Sequence, residues 1–232
     1  MHFSKLPASI KDTYNKRFFN EQTGVYSLGS QAGQLLSLKY GLVPEGKQQL
    51  VIDRLKDFIA ARDGYLSTGF VATPILLTTL SDLGLSQKAY AMATKEGYPS
   101  WFDMVFKKGN SVMKENWEGG LVQMPSLAGP IGHWFFYSLA GIRNVPGKPA
   151  FEEVIIKPDL LDSLSWASGT FQSPQDTIVS KWKKQAGSYE LQVTIPPNAS
   201  AQVYLPTADA SAIYESGKSI KGIPVEKTTQ NN

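Results

Sequence analysis

Carboxylates are the only abundant acid/base groups in this chain, and one of them, Glu115, stands in an unusual setting. It lies in SVMKENWEGGLVQMPS, two residues before Trp117 and four before the Gly119–Gly120 pair. Glycines let a backbone bend close to a ligand. An indole supplies an apolar face for the C–H face of a pyranose and a drier surrounding for the carboxylate. A carboxylate on such a loop suits proton transfer at a sugar, because loops on rigid scaffolds are where catalytic groups tend to sit. The competing reading is a surface loop whose Trp is merely buried.

Glu118 lies three residues from Glu115. Inverting glycosidases hold their two carboxyls about 6.5–9.5 Å apart, with water and sugar between them. Two side chains on one short turn seldom embrace a substrate from opposite sides. Glu118 is therefore read as a group that binds a hydroxyl or orients Glu115, not as the partner acid. In YLSTGFVATP, Tyr65, Ser67 and Thr68 precede a helix, so Thr68 is a candidate to meet substrate, with a helix N-cap as its alternative. Trp101 in YPSWFDM and Trp117 are candidates to stack on sugar, and Trp101 fits a cleft wall or a core equally. Asp53, Asp57, Glu152 and Glu153 have the surroundings of solvated surface. His133, beside Trp134 on an apolar helix, reads as a buried, hydrogen-bonded histidine rather than a ligand.

Composition excludes several classes. Cysteine is absent, and the two histidines are His2 and His133, so thiolate metal sites, His-based metal centres and Ser-His-Asp relays have little to build on. No metal or cofactor is expected. The net charge is +3 with no basic stripe, which speaks against nucleic acid. No run of about eighteen apolar residues is present, so no membrane insertion is expected. The start, MHFSKLPASIKD, lacks the apolar stretch of a secretory signal. Aromatic residues make up 11% of the chain, which suits either a core or a sugar cleft. Asn198-Ala199-Ser200 fits a glycosylation sequon, a match frequent by chance.

The elements that must position these residues fall into two kinds. To about residue 143 the pattern is helical. SQAGQLLSLKYGLV repeats Ala32, Leu35, Leu36 and Tyr40 on one face. EGKQQLVIDRLKDFIAAR places Leu50, Val51, Leu55, Phe58 and Ile59 on one side, with Pro44 and Glu45 as its start and Gly64 past its end. TPILLTTLSDLGL and SQKAYAMATKEG form a pair divided by Gly84, with Ser86 as N-cap. SLAGPIGHWFFYSLAGI reads as an apolar helix with Pro130 in its first turn. Helix, short glycine turn, helix implies layered α/α hairpins. After NVPGKPAFEEV the period becomes two, and FEEVIIKP, SLSWASGTFQS, DTIVSKWKKQ, SYELQVTIPP, SAQVYLP and SAIYESGKSI read as strands of an antiparallel sandwich.

In this order, the segments resemble glycoside hydrolase family 78, the α-L-rhamnosidases, over most of residues 20–205. YLSTGFVATPILLTTLSDLGLSQKAY is similar to the stretch entering one of the family's barrel helices. YPSWFDMV with VMKENWEGG is similar to a Trp-bearing helix followed by the family's Trp-Glu-x-Trp-Asp-Gly loop. HWFFYSLAGIR and FEEVIIKPDL resemble the passage into its terminal β-domain. The resemblance implies an α+β two-domain chain: a partial (α/α)6 toroid of helical hairpins over 1–145, then an antiparallel β-sandwich over 150–232, truncated before its usual last strand. It implies an inverting hydrolase of terminal rhamnosyl units, in which Glu115 falls on the general base and Trp117 on the loop's second Trp.

Departures accompany the match. Lys114 replaces the loop's first Trp, Glu118 its Asp, and Met124-Pro125 an Asn-His pair that contacts sugar. The family's general acid lies in an Asp- and Arg-rich segment upstream of anything matched here. The chain is accordingly expected to be a fragment, needing the upstream part of its protein or another subunit to complete the toroid, and to be a poor catalyst alone. Its expected partner is a rhamnoside, met in the periplasm or outside the cell, with the cytoplasm as alternative. Two other readings remain open: a non-catalytic carbohydrate-binding or structural module, and a toroid glycosidase of different sugar specificity.

Overall fold

The computed structural model describes residues 6–110, 112–114, 116–118, 129–207 and 209–220. The chain divides into two compact units. The first comprises residues 1–139 with Asp159–Leu164, and the second Ala140–Pro158 with 165–232.

The first unit is helical. Helix α1 (Leu6–Phe18) runs into a two-stranded ribbon, β1 (Phe19–Asn20) and β2 (Val25–Tyr26), which no alternation in so short a segment announced. Two helical hairpins follow: α2 (Gln31–Lys39) with α3 (Gln48–Ala60), and α4 (Thr73–Asp82) with α5 (Ser86–Ala93). Helix α2 packs on α3 and α4, so the hairpins lie side by side. Ser30 caps α2 from an extended backbone, its hydroxyl accepting from Gly33 N at 3.1 Å. The turn from α4 to α5 closes with Leu85 N donating to Leu80 O at 2.8 Å, while Gly84 takes φ +74°, a conformation that a side chain disfavours.

Apolar periodicity did its work here. Val51, Leu55 and Ile59 of α3 are buried, as are Leu76, Leu77 and Leu80 of α4, and most of them share a core with Leu35, Met92, Trp101, Met104, Trp117 and Trp134. Val51 belongs instead to a smaller cluster with Tyr26 and Val43. Two glutamines of α2, Gln31 and Gln34, are also fully buried. Gln34 Oε1 accepts from Tyr26 N and its Nε2 donates to Gly24 O, both at 2.7 Å, which fastens the ribbon to the helix. Gln31 Nε2 donates to Tyr65 O at 2.9 Å and its Oε1 accepts from Ser67 N at 2.8 Å.

Several local expectations change. Helix α3 starts at Gln48, because Pro44–Lys47 form their own turn with Lys47 N on Pro44 O. Ser86 is the first residue of α5 rather than its cap; its hydroxyl donates to Asp159 Oδ2 at 2.7 Å. The apolar helix expected up to Ile142 is α6 (Pro130–Trp134), continuing as a π-helical turn over Phe135–Leu139, and it stops there. His133 is not buried: its ring lies at the surface, tilted against Tyr137, while Trp134 carries the burial. Partial loss of hydration, with the Lys39 charge nearby, holds the His133 imidazole below its ordinary pKa.

The second unit is two three-stranded sheets. In one, β3 (Ile142–Asn144) pairs antiparallel with β4 (Glu153–Ile156), and β8 (Ser200–Val203) lies parallel to β4. The other is the meander β5 (Trp166–Gln172), β6 (Thr177–Gln185) and β7 (Ser188–Thr194). A small hairpin follows, β9 (Tyr214–Glu215) with β10 (Lys218–Ser219). The parallel pair arises because the chain leaves β4, builds the whole meander, and returns beside β4. Ile142, Val154 and Ile156 of one sheet face Ile178, Phe171, Leu191 and Val193 of the other, which is a sandwich core. Strand β3 occupies residues that the apolar run had assigned to helix and linker. Gly141 makes the switch at φ +75°, where a Cβ would come within 2.2 Å of Pro158 N. Among the described residues, no helix is long and apolar enough to cross a membrane.

Candidate active site

Glu115 and its neighbours Gly119–Gly120 and Met124–Pro125 lie outside the described residues. Lys114 and Trp117, on either side of Glu115, are described, and both are tied down. Lys114 N donates to Met104 Sδ at 3.5 Å. Trp117 is held three ways: its Nε1 donates to Thr68 O at 3.2 Å, its carbonyl accepts from Lys108 Nζ at 2.8 Å, and its ring meets Trp101 edge-on at 5.3 Å.

The partners come from two segments, one ending at Thr68 and the other the helical stretch that runs from Trp101 to its cap Lys108. Thr68 ends the extended segment that Gln31 fixes from α2. Trp101 precedes a π-helical turn over Asp103–Lys107, whose last bond, Lys108 N to Asp103 O at 2.9 Å, has the wide spacing of that helix type. The side chain of Lys108 turns back to pair with Asp103 Oδ2 at 3.3 Å and sits 4.7 Å over the Tyr98 ring. The Tyr98 hydroxyl donates to Glu118 Oε1 at 2.7 Å.

Four of the residues singled out from sequence therefore come together: Thr68, Trp101, Trp117 and Glu118. Three of them are buried: Trp101 takes the core position that was one of its two readings, Thr68 stands just before α4, and Trp117 joins the core. Trp101 and Trp117 are only 5% and 8% exposed and belong to the core, so neither offers an open face to a sugar. Thr68 is buried, and its hydroxyl is engaged with the Thr73 hydroxyl at 2.8 Å at the start of α4. The physical reason is that an indole gains from apolar contact when buried, and a buried hydroxyl persists where it finds a partner, as Thr68 does in Thr73. Glu118 alone lies at the surface. Asp53 and Asp57 sit on the outer side of α3 in ion pairs with Lys56 and Arg54, and Glu153 pairs with Lys148.

Electrostatics at this cluster favour a fixed carboxylate. The Tyr98 hydroxyl bond, followed by a backbone N–H, holds the Glu118 carboxyl below the usual range, with Lys108 adding its charge. The same bond pushes the Tyr98 phenol up, so it remains a donor at neutral pH. Tyr98 and Lys108 were not singled out from sequence. Tyr98 opens the YPSWFDM segment, yet residue type alone does not say which aromatic of a segment is exposed. Lys108 was one of several lysines. Among the described residues, no group of three or more His, Cys, Asp or Glu could hold a metal ion.

Residues 1–139 match the family model described as the bacterial alpha-L-rhamnosidase 6 hairpin glycosidase domain, and residues 141–219 match that of the bacterial alpha-L-rhamnosidase C-terminal domain. An alpha-L-rhamnosidase from Streptomyces avermitilis is 32% identical over 188 residues, covering 76% of this chain and 18% of its own length. The crystal structure of a Streptomyces avermitilis alpha-L-rhamnosidase complexed with L-rhamnose is similar with a TM-score of 0.79 at 28% identity, covering 93% of this chain and 22% of that one. The alpha-L-rhamnosidase from Dictyoglumus thermophilum gives a TM-score of 0.80 at 28% identity, over 90% of this chain and 24% of that one. The chain spans between 18% and 26% of the length of the curated relatives it matches.

Proposed function

The chain belongs to the bacterial alpha-L-rhamnosidase family, with segments of both its six-hairpin glycosidase domain and its C-terminal domain, and on that premise we propose that it carries the general base of an inverting hydrolase removing terminal α-L-rhamnosyl units. In this reading Glu115 takes a proton from the water that attacks the anomeric carbon. A general acid outside this chain protonates the leaving oxygen on the opposite face of the ring.

The observation that carries the reading is the anchoring of the residues around Glu115. A general base must be held within hydrogen-bond reach of its water, and small misplacements are costly in rate. Trp117, two residues beyond Glu115, is fixed by its ring nitrogen to Thr68 and by its carbonyl and ring edge to Lys108 and Trp101, the two ends of one helical stretch. The alternative, a non-catalytic carbohydrate-binding or structural module, would need a platform other than Trp101 and Trp117, which are buried.

Glu115→Gln in the protein as its host makes it keeps the shape of the side chain and removes its basicity. Turnover of an aryl α-L-rhamnoside is expected to fall by about a hundredfold or more, as for loss of general base catalysis, while rhamnose binding persists. Unchanged turnover in that variant ends the assignment of Glu115.

A further inference from the structure

With Trp101 and Trp117 closed into the core, a stacking face at this cluster would have to come from another ring. Tyr98 belongs to the cluster through Glu118 and Lys108. It is 50% exposed, in contrast to the two buried indoles. It is also held in place: its hydroxyl is bound to Glu118 Oε1 at 2.7 Å, and the Lys108 ammonium stands 4.7 Å from its ring centroid. Lys108 is itself fixed, at 2.8 Å to the Trp117 carbonyl and 3.3 Å to Asp103. A large exposed aromatic held at both its hydroxyl and its ring has lost its rotamer freedom before any ligand arrives, so little ordering remains to oppose binding.

The chemistry beside the ring suits a sugar. Sugar recognition combines an aromatic face for axial C–H groups with an ionised acceptor for hydroxyls. Tyr98 and Glu118 place the two side by side, with one Glu118 oxygen bonded to the phenol and a second carboxylate oxygen on the same group. Phe106 is more exposed still, at 72%, yet its ring brings no polar atom to orient a hydroxyl.

We propose that Tyr98 is the sugar-stacking residue of this cluster, taking the apolar C–H face of a deoxyhexopyranose while Glu118 accepts one of its hydroxyls. The inference deepens the rhamnoside reading above and rests on it. It assigns Lys108 as a positioning residue, which fixes the ring and the Trp117 backbone together without touching substrate. It also moves the stacking role from the indoles to a phenol. The cation near Tyr98 polarises the ring electrons, which draws the C–H groups on a sugar less strongly than a bare phenol would. Stacking here is accordingly expected to depend on shape and desolvation more than on ring charge.

The test is made on the protein as its host makes it, with 4-nitrophenyl α-L-rhamnoside for turnover and methyl α-L-rhamnoside for saturation-transfer NMR. Tyr98→Leu removes the ring, and Tyr98→Phe keeps the ring but loses the bond to Glu118. Tyr98→Leu is expected to raise KM roughly tenfold with kcat changed far less, the pattern of lost binding shared by ground and transition states. Tyr98→Phe is expected to stay within about threefold of the wild-type KM. Saturation of aromatic protons in the wild type and in Tyr98→Phe is expected to reach the sugar's C–H protons, a result that does not depend on Tyr98→Leu folding. A Tyr98→Leu KM equal to wild type, or a Tyr98→Phe loss as large as that of Tyr98→Leu, overturns the stacking role. A wild-type protein that neither turns over nor binds either rhamnoside overturns the underlying reading instead, and the stacking proposal with it.

Discussion

At the scale of single residues, what a polar side chain does depends on whether its partners are in reach. Tyr26, on strand β2, is fully buried against Tyr14 of α1 and Phe19 of β1, its hydroxyl donating to Asn15 Oδ1 at 2.7 Å. Burial foremost, with the Tyr14 phenol beside it, pushes its pKa up to about 12. An acid whose folded pKa is raised keeps its proton in the native state while the unfolded chain releases it. The stability tied to Tyr26 is therefore complete below its ordinary value near 10 and is lost as pH rises towards about 12. Urea unfolding at pH 8 and at pH 11 is expected to show a drop at the higher pH. Tyr26→Phe is expected to be less stable than wild type at pH 8 and to show a smaller drop. An equal drop in the variant would place the effect on other groups. At the same scale, Glu118 lies at the surface with its carboxylate on the Tyr98 hydroxyl, whereas Thr68, Trp101 and Trp117 are drawn into the core.

At the scale of elements, the helices and most strands were legible because their apolar periods are clean. Helix α3 and strands β6 and β7 follow the 3.6 and 2 residue patterns directly. The ribbon β1–β2 and strand β3 were not legible, being two or three residues long and specified by contacts outside themselves. Gln34 is what holds the ribbon, and a glutamine in a helix has no signature of that job. Gln31 has the corresponding role on the segment ending at Thr68, the segment that receives the Trp117 indole. Gln31→Leu preserves side-chain bulk but leaves Ser67 N and Tyr65 O without these partners. Stability is expected to fall by about 2–3 kcal/mol, and amide exchange at residues 65–68 to rise. A variant as stable as wild type would mean that water or backbone rearrangement satisfies those groups.

At the scale of the whole molecule, the chain holds separate cores in its two units. Leu80 is fully buried in the large helical core. Ile178 is fully buried in the sandwich core. Leu80→Ala is expected to destabilise the helical unit by about 2–5 kcal/mol, the usual range for a buried leucine cavity. Amide exchange across β6 and β7 is expected to remain at the wild-type rate in that variant. Equal acceleration in both units would show that the two cores unfold as one.

Sequence alone determined the main helices, most strands of the two sheets, and the change from a helical to a strand period. These depend on local propensity and on the repeat of apolar residues, both of which are written in neighbouring positions. The tertiary structure decided which aromatic rings are buried and which remains open, that Lys108 and Tyr98 join the cluster, and that β8 returns parallel to β4. Those outcomes turn on groups far apart in sequence: Thr68 and Trp117 are 49 residues apart, and Ser180 and Ala140 are 40 apart. Burial and pairing are shared among such distant groups, so only the folded chain assigns them.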